Sequence, residues 1–342
     1  MDELADDPSV KNMCGQALPS DCGGMGLTHA LILEARARIQ DKINRTPILT
    51  SATLDTAAHA QLFFKCENFQ KTGAFKARGA ANAVFLLTAE EAQRGVATHS
   101  SGNHAAALSR AARLRGIRAY IVMPNNASQA KRAAVARYGG QITLCEPTLA
   151  DRERTCERIL VETGATLIHP YNDLRVMAGA GTTAVELLES VPDLDVLLCP
   201  VGGGGQLAGV AVAGKSIKPD LRVVGVEPAG ADDAYRSFNA GHIIPSVNPR
   251  TIADGLRSSL GELSFAEIRR DVDEIVTVSE EAIVRSMRLI WEVLKIIVEP
   301  SAAVPYAALL EDKLDVAEQR VGIILSGGNL DLDQLPWSRA RQ

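Results

Sequence analysis

No window of this sequence approaches the roughly 20 apolar residues that a membrane-spanning helix needs. The stretch from Met1 to Leu27 also has no basic segment followed by an apolar one. Both absences argue against a membrane partner or export, so a cytoplasmic protein is expected. Basic residues form no long run, and 36 basic against 41 acidic side chains leave a net charge of −5, so the electrostatic footprint of a nucleic-acid binder is missing. The six cysteines (Cys14, Cys22, Cys66, Cys145, Cys156 and Cys199) lack CxxC or Cys/His spacing, which removes the basis for a zinc site or a disulfide frame. They read as reduced and structural. Neither GxGxxG nor GxxxxGK[ST] occurs, so dinucleotide and P-loop binding have no motif to stand on.

What remains is a globular chain of 342 residues, 46% hydrophobic, long enough for two domains and a sizeable core. A small-molecule ligand is expected. Residues 1–26 mix Asp, Pro, Ser and a Cys-Gly-Gly turn without periodicity, the pattern of a flexible leader. From Leu27, apolar residues at helical steps (Ile32, Ala35, Ile39, Ile43) run to a stop at Asn44 to Pro47. Short apolar stretches then alternate with helices, an α/β pattern with largely parallel sheets. Strands over 96–98, 119–123, 142–144 and 166–168 alternate with Ala-rich helices near 103–115, 128–138 and 151–163, as consecutive βαβ units do. Further strands are expected near 195–199, 222–226 and 321–325. The expected layout is a small parallel-sheet domain (95–170) inserted in a larger α/β domain (27–94 and 171–342).

Three segments carry the chemistry. Gly202-Gly203-Gly204-Gly205 follows the apolar strand Val196 to Cys199 and opens an Ala/Val-rich helix. Consecutive glycine N–H groups and a helix N-terminus converge there, which makes a phosphate the natural guest. Ser100-Ser101-Gly102-Asn103-His104 lies at the carboxyl end of the strand Val96 to Thr98, offering hydroxyls, an amide and a second helix N-terminus to an anion. Alone, it could equally be a capped turn. Lys76 follows Phe75 on a helix of small residues. A lysine facing an apolar pocket has its pKa lowered by desolvation, as Schiff-base formation requires.

Together these segments resemble the fold type II (tryptophan synthase β-like) pyridoxal 5′-phosphate (PLP) enzymes, specifically the serine racemase and threonine or hydroxyaspartate dehydratase family. The resemblance covers about residues 28 to 333. It rests on Asn68-Phe69-Gln70 leading to Phe75-Lys76-Ala77-Arg78-Gly79, on Ser100 to His104, on the tetraglycine loop, and on Thr251-Ile252-Ala253-Asp254-Gly255-Leu256, Glu299-Pro300-Ser301 and Leu325-Ser326-Gly327-Gly328-Asn329. The resemblance implies that Lys76 holds PLP as a Schiff base and removes the Cα proton. It places the phosphate on Gly202 to Gly205, Asn103 at the ring 3′-oxygen, Phe75 near the ring and Ser326 at the pyridine nitrogen. A neutral hydroxyl at that nitrogen draws less charge into the ring, which favours β-elimination over long-lived carbanion chemistry. Ser100, Ser101, Asn103 and His104 would receive the substrate carboxylate, with Tyr171 nearby and Arg152 near the distal end of the substrate. Ser101 would stand opposite Lys76, where a racemase needs its second acid/base.

The implied activity is removal of water and ammonia from L-serine, L-threonine or 3-hydroxyaspartate. The alternatives are an amino-acid racemase on the same scaffold and a PLP-binding protein without turnover. Two departures favour the dehydratase: Tyr171 in His169-Pro170-Tyr171 is similar to dehydratases rather than to mammalian racemases, and His104 is followed by Ala105-Ala106. Glu227, Asp233 and the Ala231 carbonyl resemble the divalent-cation site of the same group, with hard oxygen donors suited to Mg²⁺, Mn²⁺ or Ca²⁺. The chain ends soon after Ser326, so an isoleucine-sensing regulatory domain is not expected. Family members commonly pair, which implies a homodimer.

Overall fold

The computed structural model describes residues 26–100, 102–127 and 129–337. The expected leader (apart from Gly26), Cys14, Cys22 and Ser101 therefore lie outside the described residues. In chain order the strands are β1 (Ile48–Leu49), β2 (Gln61–Cys66), β3 (Val96–His99), β4 (Ala119–Pro124), β5 (Gln141–Cys145), β6 (Thr166–Leu167), β7 (Val196–Pro200), β8 (Arg222–Pro228), β9 (Glu274–Val278) and β10 (Arg320–Leu325). The helices are α1 (His29–Ile39), α2 (Ala52–Ala58), α3 (Lys76–Leu86), α4 (Ala89–Arg94), α5 (Asn103–Arg115), α6 (Gln129–Arg137), α7 (Leu149–Thr163), α8 (Leu174–Ser190), α9 (Gly205–Ile217), α10 (Asp233–Ala240), α11 (Glu262–Asp271), α12 (Glu280–Leu289) and α13 (Pro300–Leu310).

A six-stranded sheet runs in the order β1-β2-β10-β7-β8-β9, and a four-stranded one in the order β5-β4-β3-β6. Every pairing is parallel except the short edge pair of β1 with β2. Strand β7 (Val-Leu-Leu-Cys-Pro) is buried at every position, as a central parallel strand with both faces covered must be. One core cluster packs Phe64, Leu198, Val224 and Tyr306 on one face of the large sheet, and a second packs Leu197, Val223, Leu207 and Ile268 on the other. The small sheet is clad by Leu108, Ile121 and Met123 on one side and by Val122, Cys156 and Ile159 on the other.

Local chemistry sets the helix ends that matter. Thr28 caps α1, Thr148 caps α7, and Gly164 ends α7 in the left-handed conformation. Helix α3 crosses α8 with the backbones almost touching: a Cβ on Gly79 would lie 2.6 Å from the Val176 carbonyl oxygen, and one on Gly179 would lie 2.6 Å from the Arg78 carbonyl oxygen. The glycines are thus required by contact, and they lock the helix that starts at Lys76 against the scaffold. The four described cysteines are free and buried, and burial pushes the Cys66 and Cys156 thiols up to about 12. No described helix is long and apolar enough to cross a membrane.

Candidate active site

Lys76 opens α3 from a turn stitched to the segment after β10. The Phe75 N–H donates to the Ser326 carbonyl (3.0 Å), the Gly328 N–H donates to the Gly73 carbonyl (2.9 Å), and Ala74 bridges Gly327. The amine of Lys76 donates to the Pro170 carbonyl (2.7 Å) and sits 4.8 Å from the Phe75 ring centre. Desolvation lowers its pKa from 10.5 to about 8. Ser326 is buried directly behind this turn.

Pro170 leads into Tyr171, whose ring lies on the tetraglycine loop. A Cβ on Gly203 would fall 2.4 Å from the Tyr171 ring, and one on Gly205 would fall 2.7 Å from the Tyr171 carbonyl oxygen. Gly202 is as tight against Leu256, at 2.8 Å. Gly204 adopts φ 87° and precedes α9 without a side-chain cap. Among the described residues, the N–H groups of Gly202, Gly203 and Gly204 donate to no protein acceptor, while the Gly203 carbonyl is held by the Ser264 hydroxyl (2.7 Å). The loop is thus a row of unsatisfied donors at a helix N-terminus, which fits a phosphate. Gly203→Ala is expected to weaken PLP binding by about tenfold or more, because the added methyl must displace the Tyr171 ring. Titration of the apoprotein with PLP, followed by absorbance, measures this.

The loop after β3 supplies the opposite wall. The Ser100 N–H donates to the Val122 carbonyl (3.1 Å), and Asn103 opens α5 with its Nδ2 donating to Glu299 Oε1 (2.9 Å) and Oε2 (3.2 Å). His104 is buried, with Nε2 3.1 Å from the Ile168 carbonyl oxygen and Nδ1 unpartnered. A carbonyl can only accept, so the proton is on Nε2. Burial and the Lys76 charge depress its pKa to about 3. His104 can therefore offer a neutral imidazole but no positive charge, and an anion here relies on backbone N–H groups and Asn103. Ser101 is outside the described residues.

Sequence reasoning missed two members of this wall, His99 and His169, whose rings stack edge to face (5.7 Å), with His169 also against Tyr171 (4.6 Å). Their positions next to two motifs were the only signal available. The Asn172 N–H donates to His169 Nδ1 (2.9 Å), and burial with His99 beside it presses the His169 pKa down to about 3. Arg152, near the start of α7, projects its charge onto both His99 and Tyr171. Its guanidinium makes only a long Nε contact to the Thr148 carbonyl (3.4 Å) among the described residues, so it faces the cleft with most of its donors unused.

Glu227 ends β8 fully buried. Its carboxylate accepts from the Ala234 (3.0 Å) and Tyr235 (2.9 Å) N–H groups, and burial raises its pKa to about 9. Asp233 is fully buried with neither oxygen in a well-formed hydrogen bond, although Ser246 and the Leu260 amide lie close; burial raises its pKa to about 6. A dry carboxylate without partners calls for a proton or a cation. The Ala231 backbone is buried beside it. Among the described residues no three His, Cys, Asp or Glu side chains converge, so a cation here would need the carbonyl and water to complete its shell.

A lysine of lowered pKa between an anion cradle and a neutral hydroxyl, at the carboxyl ends of two parallel sheets, defines a phosphocofactor enzyme of the α/β class. The family model for pyridoxal-phosphate dependent enzymes matches residues 39–327, and the chain belongs to that family. It is 52% identical to the β-hydroxyaspartate dehydratase of Paracoccus denitrificans, over 91% of this chain and 99% of the relative. Among solved structures it matches maize serine racemase (46% identity, TM-score 0.89, 92% of this chain and 97% of that one) and the serine racemase of Dictyostelium discoideum (45%, TM-score 0.86, 90% and 99%). A bacterial-type threonine deaminase structure matches almost as well (42%, TM-score 0.85, 89% and 99%). The protein is a PLP-dependent enzyme of the α/β fold with parallel sheets.

Proposed function

We propose that the protein removes water and ammonia from a β-hydroxy amino acid to give a 2-oxo acid, with 3-hydroxyaspartate first among the substrates, then L-serine and L-threonine. The observation that carries this is the pairing of Lys76, pKa about 8, with an underused Arg152 guanidinium at the same cleft. When bound, PLP supplies an electron sink that acidifies the Cα–H of the amino acid. The N–H groups of Gly202 to Gly204 and the α9 N-terminus hold the phosphate. Lys76, in its neutral form, takes the Cα proton as the β-hydroxyl departs as water. Ser326, expected at the ring nitrogen, cannot keep that nitrogen protonated as a carboxylate would. The N–H groups of the Ser100 to Asn103 loop bind the α-carboxylate, and Arg152 binds the second carboxylate of hydroxyaspartate in a two-pronged contact. Glu227, Asp233 and the Ala231 carbonyl hold a divalent cation in a cytoplasmic homodimer. The 52% identity to a protein named β-hydroxyaspartate dehydratase supports this substrate order.

The test is a kinetic panel of 3-hydroxyaspartate, L-serine and L-threonine with and without Mg²⁺, scoring 2-oxo acid against the D-amino acid. Dominant D-serine from L-serine would favour the racemase reading, which Ser101 and the racemase relatives support. A protein that binds PLP and turns over nothing would favour the binding reading. Arg152→Ala is expected to raise KM for 3-hydroxyaspartate about 10- to 100-fold, the size of a lost charge-assisted bond. KM for L-serine should change less. Unaltered hydroxyaspartate kinetics would remove Arg152 from the site.

A further inference from the structure

Glu299 is a carboxylate that the reaction above does not use, yet it is 4% exposed and touches three segments of the site. It begins the turn into α13, and its own N–H donates to the Gly327 carbonyl (3.1 Å). Its side chain only accepts: Oε1 takes the Asn103 amide (2.9 Å), and Oε2 takes the same amide (3.2 Å) and the Asn329 N–H (3.1 Å). A Cβ on Gly327 would lie 2.7 Å from Oε1, so the carboxylate is wedged against the backbone next to Ser326.

The second half of the network fixes Asn103 from its other end. Asn329 Nδ2 donates to Asn103 Oδ1 (2.8 Å) and to the Thr72 carbonyl (2.7 Å), using both of its hydrogens. Asn103 thus has its oxygen turned to Asn329 and its nitrogen turned to Glu299. One N–H directed between the two Glu299 oxygens accounts for both contacts and leaves the second N–H for the cleft. Glutamine could not do the same, because both oxygens face donors and an amide has only one acceptor end.

We propose that Glu299 is a positioning residue: it fixes the amide of Asn103 so that an N–H, and never the carbonyl oxygen, is presented to the 3′-oxygen of PLP. This rests on the reading that places Asn103 at that oxygen. Burial and the nearby Asp254 raise the Glu299 pKa to about 8, while Lys131, paired with Asp254, works against the rise. The carboxylate is held in place by its three donor contacts rather than by solvation.

Glu299→Gln is the test, read in three ways on purified protein: the ratio of the absorbance bands of bound PLP, the PLP dissociation constant of the apoprotein, and kcat against KM. The expected result is an altered band ratio, PLP affinity weakened severalfold, and kcat lowered about tenfold with KM changed less than threefold. Asn329→Ala, at an exposed position, frees the other end of the Asn103 amide and should shift the bands in the same direction. It decides the question if Glu299→Gln does not fold. Wild-type bands and affinity in the folded variants would overturn the proposal. Asn103→Ala separates this from failure of the underlying reading: unchanged bands there mean that Asn103 is not at the 3′-oxygen, whereas changed bands there with wild-type bands in Glu299→Gln reject Glu299 alone.

Discussion

Lys76→Ala is expected to lower turnover by at least about 10³-fold and to remove the visible absorbance of covalently held PLP, because base and covalent anchor are lost together. The phosphate cradle is untouched, so PLP should still bind without the covalent link. Lys76→Arg keeps a cation but cannot condense with an aldehyde, and should be as inactive. The fold should survive. The Lys76 pKa is lowered from 10.5 to about 8, so the native state disfavours its cation. A lysine with a depressed folded pKa destabilises most below that pKa, and the penalty fades as pH rises towards 10.5. The alanine apoprotein should therefore melt no lower than the wild type at pH 7. The same lowered pKa predicts that wild-type apoprotein captures PLP faster as pH rises towards about 8 and levels off beyond it, since the neutral amine is the nucleophile. Measurable turnover in both variants would remove Lys76 from the chemistry.

The α/β class and most element positions were legible because they depend on local pattern. The strands expected over 96–98, 119–123 and 142–144 fall inside β3, β4 and β5, and the helices expected at 103–115 and 151–163 match α5 and α7 closely. Gly202 to Gly205 could be read as an anion loop because strand, glycines and helix are contiguous. What was not legible depends on distant contacts. Nothing near His104 announced that its ring would turn to the Ile168 carbonyl, 64 residues on. Glu299 was visible only as part of a motif, since its partners Asn103 and Asn329 lie in other segments. Arg78 stood out in sequence only as a neighbour of Lys76, and its partner Glu186 is 108 residues away.

Arg78 carries the largest expected effect on stability. Its guanidinium is fully buried and all of its N–H groups are used: Nε and Nη2 donate to Glu67 (2.7 and 2.8 Å), Nη1 and Nη2 to Glu186 (2.7 and 2.8 Å), and Nη1 to the Thr182 hydroxyl (3.1 Å). Buried Lys65 completes a neutral quartet by donating to Glu186 (2.6 Å) and to the Thr46 carbonyl (2.8 Å). Such a group adds little net stability compared with a well-packed apolar core, but removing one member leaves an uncompensated charge. Arg78→Leu leaves two carboxylates facing a single lysine and should cost about 3–5 kcal/mol in urea unfolding at pH 7. Arg78→Lys cannot bridge both carboxylates and should fall between the leucine variant and the wild type.

The pH dependence separates charge from packing. In the wild type, Arg78 and Lys65 outweigh burial and hold the Glu186 pKa below its usual value. That contribution is present above the unfolded carboxylate pKa, about 4.3, and is lost as pH falls through the folded value. In Arg78→Leu a buried carboxylate has its folded pKa raised instead, so it binds a proton in the native state and is penalised as pH rises past the unfolded pKa. The gap between wild type and variant should widen from pH 5 to pH 7. A gap that stays constant over that range would mean that lost packing around Gly79 and Gly179, rather than stranded charge, is what Arg78 prevents.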